Sequence, residues 1–127
     1  MVFSGYDIIS TGGVDKTIIE NAEIDLGMKF SAEFREYLLD YGTVELNNNE
    51  LFGLGVDNYC NVVKSTLDER AYSSAFPPEH CVIYNIGLNS VLVLLGNDGC
   101  VYEYSPKSLR KISDSFNQWV LEEFVDY

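Results

Sequence analysis

The chain has little positive charge: 8 Lys and Arg residues stand against 20 Asp and Glu residues among 127, and the formal net charge is −12. Binding of nucleic-acid phosphates or of anionic lipids requires a basic surface. Direct nucleic-acid and membrane partners are therefore not expected. Two interpretations of the acidity stay open: it serves solubility, or it complements a basic protein partner such as a nuclease.

Metal-binding residue types are also scarce. The chain has one histidine, His80, and three cysteines, Cys60, Cys81 and Cys100, none in C-x-x-C spacing. A zinc site needs about four such ligands close together. We therefore expect no metal and no cofactor, and we interpret the cysteines as buried, reduced thiols that pack as small hydrophobic side chains.

Long apolar runs are absent. No stretch of about 18 apolar residues could form a membrane-spanning helix. Residues 1–13 lack the basic start and the apolar core of a secretory signal. These features predict a cytoplasmic protein.

Enzyme signatures are missing as well. There is no nucleophile elbow, P-loop, H-E-x-x-H helix or dinucleotide-binding glycine motif. No activated nucleophile can be placed beside His80. The adjacent carboxylates at 68–69 and 122–123 point in different directions on predicted helices, so a solvated face is the simpler interpretation. We predict that the protein is not an enzyme.

What the chain does contain is a helix pair between Ile18 and Gly42. Asp15 and Ser31 are suitable N-caps, and Gly27 supplies the left-handed residue that commonly ends a helix. Apolar residues recur at helical spacing on both segments: Ile18, Ala22 and Leu26 on the first, with Ile19 beside them, and Phe34, Tyr37, Leu38 and Tyr41 on the second.

Strand patterns dominate much of the remainder. We predict strands over 43–46, 51–54, 82–86, 91–95 and 100–104, separated by Asn- and Gly-containing turns. The run 91–95 is apolar without alternation, which indicates a central strand covered on both faces.

Two further helices are expected. Asp57 can cap a third helix with Val63, Leu67 and Ala71 facing inward. A last helix, capped by Ser113 or Ser115, carries an apolar stripe consisting of Ile112, Phe116, Trp119, Val120 and Phe124.

This order of elements predicts a single α+β domain over 14–127, preceded by a peripheral segment over 1–13. The expected architecture is an N-terminal helix pair and a central antiparallel sheet of about four to six strands. A helix is inserted in the sheet, and a C-terminal helix packs on it.

The helix pair also resembles the opening of the SUKH superfamily. The resemblance lies in an acidic helix ending in Leu-Gly, a Lys-Phe pair and a helix ending in Tyr-Gly. The matching residues are Ile19, Ala22, Glu23, Leu26, Gly27, Phe30, Glu33, Phe34, Leu38, Leu39, Tyr41 and Gly42. Shorter matches follow at 50–54, 91–95, 97–99, 101–103 and 115–116. Many members have Pro where Ser31 stands, and Ser can start the helix by capping it.

The founding members of that superfamily are the Smi and Knr cell-wall regulators of yeast, and most bacterial members are immunity proteins of toxin systems. The resemblance therefore implies a cytoplasmic immunity protein that binds a cognate toxin, a basic nuclease domain, in a stoichiometric complex. The alternative is a regulatory or scaffolding interaction module without a toxin partner. A monomer or a weak homodimer is expected.

Carboxylates and two tyrosines gather between the second and third predicted helices. Such a mixture is typical of interaction surfaces, because aromatic rings give rigid contact area and charge steers the partner. The candidate partner-binding residues are Asp40, Glu45, Glu50, Asp57, Tyr59, Asp68, Glu69 and Tyr72. The alternative for the two tyrosines is that they complete the core with their hydroxyls at its rim.

Overall fold

A computed structural model describes residues 1–127. In chain order the elements are β1 (Ile9–Ser10), α1 (Lys16–Leu26), α2 (Ala32–Asp40), β2 (Val44–Leu46), β3 (Asn49–Leu51), α3 (Val62–Tyr72), β4 (His80–Asn85), β5 (Leu92–Gly96), β6 (Val101–Ser105), β7 (Ser108–Ser113), α4 (Phe116–Glu122) and a 3-10 helix (Phe124–Asp126). The predicted α+β class is confirmed.

The caps of the helix pair are those that the sequence predicts. The Asp15 carboxylate accepts from the backbone N–H of Ile18 at 3.0 Å, and the Ser31 hydroxyl accepts from that of Phe34 at 3.3 Å. Gly27 ends α1 with a φ of +65°, which a residue without a Cβ adopts at no steric cost. Because these caps act within one turn, local sequence is enough to set the helix boundaries.

The buried face of α1 is the predicted one except at Ile18 and Glu23. Ile19, Ala22 and Leu26 are buried, whereas Ile18 is exposed. Glu23 is buried too, and its carboxylate accepts from the Arg35 guanidinium of α2 at 2.5 Å and from the backbone N–H of Phe30 at 2.8 Å. The two helices are thus joined by an ion pair between the buried Glu23 carboxylate and the partly exposed Arg35 guanidinium.

The strands form two antiparallel sheets instead of one central sheet. β1, β2 and β3 make a three-stranded sheet, and β4, β5, β6 and β7 make a four-stranded one. The backbone N–H of Phe52, just after β3, donates to the carbonyl of Ile83 on β4 at 2.9 Å. This hydrogen bond links the two sheets.

β5 is the covered central strand that the sequence predicts. Val93 and Leu95 contribute to the large core of 25 buried residues, to which the helices also contribute side chains. Leu92 and Leu94 point to the other side, into a smaller cluster of seven buried residues around Phe76.

Two strands, β1 and β7, were not predicted. β7 forms the edge of the four-stranded sheet and contains Ile112, which the sequence placed in the last helix. The last helix, α4, begins later, at Phe116, and its cap is Ser115, whose hydroxyl accepts from Gln118 N–H at 3.2 Å.

The cap and inner face of α3 also differ from the prediction. Asn61, not Asp57, caps this helix by accepting from the backbone N–H groups of Val63 and Lys64. Val62 and Thr66 face the core and Val63 packs partly against it, whereas Leu67 and Ala71, predicted inward, are exposed. The Thr66 hydroxyl accepts from Val82 N–H at 2.9 Å, so a polar side chain lies at the helix–sheet contact.

The N-terminal segment, expected to be peripheral, takes part in the core. Phe3 is only 2% exposed, packs edge-on against Tyr41 at 5.4 Å between ring centroids, and donates its N–H to the Tyr41 hydroxyl. β1 then pairs with β2. The cysteines are all free, but only Cys60 and Cys81 are buried and Cys100 is partly exposed.

Candidate protein-interaction surface

The outer face of the three-stranded sheet carries two of the predicted carboxylates. Glu45 of β2 lies directly opposite Glu50 of β3, and Ile9 of β1 lies opposite Glu45 on the other side. Their neighbours Val44 and Leu51 point the other way, into the core, as the alternation of a strand requires. Ile9, a large apolar residue, is 68% exposed.

Tyr59 joins this face from the loop before α3. The residue is 58% exposed, so it does not complete the core. Its hydroxyl donates to one oxygen of the Glu50 carboxylate. We call Ile9, Glu45, Glu50 and Tyr59 the acidic sheet face.

Glu50 is held by two neutral donors. The Cys60 thiol donates to its second oxygen at 3.3 Å. The hydrogen bond to Glu50 raises the pKa of Tyr59 to about 12. Burial, and then the bond to Glu50, raises the pKa of the Cys60 thiol to about 12. Both groups therefore stay protonated at neutral pH and act as hydrogen-bond donors to the Glu50 carboxylate.

No basic side chain compensates this charge within the same stretch of chain. Between Arg35 and Lys64 there are five acidic residues and no Lys or Arg: Glu36, Asp40, Glu45, Glu50 and Asp57. The ion pairs of the structure lie elsewhere: Arg35–Glu23, Lys64–Asp68, Arg110–Glu103 and Lys111–Asp114. The acidic sheet face therefore presents net negative charge beside exposed apolar and aromatic groups.

A small cleft of about 120 Å³ lies beside the acidic sheet face, with Thr11, Val56 and Asn58 among its lining residues. Sites for small-molecule substrates commonly have 300–1,000 Å³. This volume suits a side chain of a docked protein better than a free substrate.

The remaining predicted residues do not form one patch with the acidic sheet face. Asp57 is exposed in the loop that leads to Tyr59. Asp40 lines a separate cavity of about 240 Å³ at the N-terminal end of the chain. Glu69 and Tyr72 line a third, at the end of α3, and Asp68 forms its surface ion pair with Lys64 at 3.8 Å.

Ile9 is the residue of the acidic sheet face that the sequence did not predict. Its place beside Glu45 depends on the pairing of β1 with β2, between residues 36 positions apart in the chain. A two-residue strand leaves no periodic pattern, so the only signal was an apolar residue in a segment otherwise predicted to be peripheral.

Neither a metal cluster nor a membrane-spanning helix is present. The structure holds no group of three or more His, Cys, Asp or Glu side chains placed to bind a metal ion. None of its helices has the length and apolar character needed to cross a bilayer.

The family model described as SUKH_5, SMI1-KNR4 cell-wall, matches residues 7–125 of the 127. The chain belongs to the SUKH family. No curated protein matches it.

The SUKH motifs can now be given structural reasons. Glu23, one of the residues that match the family, is buried and forms the ion pair with Arg35. Gly53, in the short motif at 50–54, lies where a Cβ would come within 1.7 Å of the Gly42 carbonyl oxygen. These SUKH positions therefore support the scaffold, while the acidic sheet face lies on its surface.

Proposed function

We propose that this SUKH protein is a cytoplasmic immunity protein. It binds a cognate toxin that is secreted or delivered by cell contact, and it neutralises the toxin as a stoichiometric complex without catalysing a reaction. The toxin's active domain is a nuclease, whose phosphate-binding surface is basic. Family membership supports the immunity role, and the charge of −12 supports the basic partner.

The observation that carries this proposal is the acidic sheet face. Glu45 and Glu50 lie side by side without a basic partner, and Ile9 and Tyr59 are exposed next to them. The carboxylates match a basic partner in charge. The exposed apolar and aromatic groups beside them offer contact area that loses its water on binding.

The two parts of this face act at different steps. Uncompensated negative charge attracts the basic toxin over a Debye length and speeds the encounter. Burial of Ile9 and Tyr59 then slows dissociation, because buried aromatic and apolar anchors provide most of the binding energy in such interfaces. The toxin's substrate is excluded because its phosphate site is covered.

The first experiment is co-expression with the neighbouring gene, scored by cell survival and co-purification. Where a complex is recovered, association rates are measured at low and high salt for the wild type and for Glu45→Lys. We expect high salt to slow the wild-type association at least about tenfold and the substitution to have a similar effect at low salt.

Glu20→Lys on the exposed surface of α1 is the matched control for charge, and we expect a clearly smaller change in association rate. An association rate that does not depend on salt would contradict the electrostatic part of the proposal. Cell death on co-expression, with no complex recovered, would contradict the immunity role for that gene pair.

The second candidate is a regulatory or scaffolding module without a toxin. The observation that favours it is the description of the matching family, which names the cell wall. An isolated gene with no toxin-like neighbour, together with co-purification of endogenous signalling or cell-wall proteins, would support this alternative.

A further inference from the structure

A second recess lies away from the acidic sheet face, between the C-terminal end of α3 and the ends of β4, β5 and β6. It encloses about 340 Å³, and its lining includes Glu69, Tyr72, Ser73, Asn85, Leu92 and Tyr104. We call it the α3 groove. Its volume is within the range of sites that hold a small ligand or a large side chain.

Tyr104, which lines this groove, has a buried hydroxyl without a hydrogen-bond partner. The residue is 5% exposed and its ring packs edge-on against Phe76 at 5.3 Å between centroids, yet its hydroxyl has no partner. Buried polar groups are nearly always paired, and an unpaired one is costly. The guanidinium of Arg110, on the adjacent strand, does not supply the partner because it donates to Glu103 at 2.7 Å.

The mouth of the groove combines an exposed ring with a free carboxylate. Tyr72 is 86% exposed, and Glu69 forms no ion pair. No Lys or Arg lines the groove. Arg70, next to Glu69 in the chain, is engaged elsewhere, since its guanidinium donates to the Leu26 carbonyl at 2.9 Å.

These three groups together suit one side chain. A guanidinium stacks on an aromatic face, pairs with a carboxylate and still has N–H donors to spare. A lysine ammonium lacks the planar surface that stacks on a ring. A neutral side chain would leave Glu69 without a counter-charge.

We propose that the α3 groove binds an arginine side chain of a protein partner. The guanidinium stacks on Tyr72, pairs with Glu69 and donates an N–H to the Tyr104 hydroxyl oxygen. The inference rests on the proposed function, in that the arginine belongs to the bound partner. It adds a second contact site, separate from the acidic sheet face.

The test uses a small probe and needs no toxin. N-acetyl-arginine amide is titrated into the ¹⁵N-labelled full chain and followed by NMR, with the backbone amides of Ser73 and Asn85 as reporters. We expect saturable, localised shifts with a dissociation constant on the order of 1–10 mM, as suits a ligand of this size. The citrulline and lysine analogues serve as uncharged and non-planar controls, and both should bind at least about threefold more weakly.

Three substitutions divide the site into its parts. Tyr72→Ala and Glu69→Gln should each weaken arginine binding about threefold or more, while Asp68→Asn, on the neighbouring exposed carboxylate, should leave it unchanged. Tyr104→Phe should weaken binding about tenfold while leaving the urea midpoint unchanged or higher, because it removes a hydroxyl that the free protein leaves unpaired. A residue that served only to stabilise the fold would not produce these opposite effects.

Absence of localised shifts, or equal binding of the lysine analogue, would overturn the assignment to arginine. Unchanged binding in Tyr104→Phe would overturn the role of that hydroxyl and with it the proposal as stated. A negative result with the arginine probe does not bear on the toxin-binding experiment, because the toxin-binding experiment depends on Glu45 and the acidic sheet face.

Discussion

Glu45 and Glu50 are cross-strand neighbours whose carboxylates share the solvent side of the three-stranded sheet, and neither has a basic partner. Like charges directly opposite each other destabilise a strand pair by up to about 1 kcal/mol. Such an arrangement lowers the stability of the free protein. A basic partner of the kind proposed would remove this repulsion on binding.

Glu45→Gln should therefore stabilise the free protein. We expect an increase of roughly 0.5 kcal/mol in the free energy of unfolding, because one of two repelling charges is removed. Urea unfolding at low ionic strength measures it. Glu20→Gln is the control: the negative charge of Glu20 favours the nearby Arg35 cation, so no gain is expected there. Equal gains in both variants would point to net charge and not to the Glu45–Glu50 pair.

Glu50→Gln should act in the opposite direction. The two Glu50 oxygens accept from Tyr59 and from Cys60, and an amide offers only one acceptor. We expect a loss of about 1 kcal/mol despite the relief of repulsion, since hydrogen bonds to a charged acceptor contribute about 1.5–3 kcal/mol. The same urea experiment measures it, and a stabilised Glu50→Gln variant would contradict the hydrogen-bonding role assigned to this carboxylate.

The cap of α3 gives a separate test. Asn61→Ala removes the acceptor of the Val63 and Lys64 N–H groups and the donor to the Val56 carbonyl. We expect a loss of about 1–2 kcal/mol in thermal or urea unfolding. Asp57→Asn, at the position that the sequence predicted as the cap, should change stability by less than about 0.5 kcal/mol.

The sequence predicted well those features that depend on neighbours in the chain. Asp15, Gly27 and Ser31 set the ends of α1 and α2 through hydrogen bonds and backbone angles within one turn. The turn at 97–99 and the fully covered strand β5 were also predicted from the residues of each short segment alone.

The errors occurred where polar residues are buried by tertiary contacts. Thr66 faces the core because its hydroxyl accepts from Val82, and Glu23 is buried because it pairs with Arg35. A pattern that assigns polar residues to solvent therefore placed Glu23 on the surface of α1 and turned α3 away from its true inner face. β7 was missed for a related reason, since its first four residues are exposed and no apolar alternation marks an edge strand.

The candidate site was only partly predictable. The sequence supplied Glu45, Glu50 and Tyr59, but their meeting depends on strand register and on the loop that returns Tyr59 to β3. For the same reason Asp40 and the pair Glu69 and Tyr72, close to them in the chain, lie along different cavities.

The ion pair between buried Glu23 and Arg35 predicts how stability depends on pH. Burial alone would raise the pKa of Glu23, but hydrogen bonds from Arg35 and from Phe30 N–H outweigh it and leave the pKa below the ordinary value of 4.5. A carboxyl with a lowered pKa in the folded state contributes stability above its unfolded pKa and loses it as the pH falls through the folded pKa. The contribution is therefore complete near neutral pH and declines below about pH 4.5.

The comparison of wild type with Glu23→Gln isolates this contribution from those of the other carboxylates. We expect the variant to be less stable by about 2 kcal/mol at pH 7, because it weakens charge-assisted hydrogen bonds to a buried acceptor. The difference between their urea midpoints should shrink as the pH is lowered from 5 towards 3. A difference that stays constant over this range would mean that Glu23 is not ionised in the folded protein.

Gly53 provides the sharpest test of the scaffold. A Cβ at this position would lie 1.7 Å from the Gly42 carbonyl oxygen, and that oxygen accepts from Leu54 N–H at 3.1 Å. Gly53→Ala must push apart the two buried chain segments that contain Gly42 and Gly53. We therefore expect the free energy of unfolding to fall by about 3 kcal/mol or more. Gly27→Ala has open space around the new Cβ and only the strain of a φ of +65°, which costs about 1 kcal/mol. Urea unfolding of both variants separates steric clash from backbone strain, and equal losses would contradict the close approach of Gly53 to Gly42.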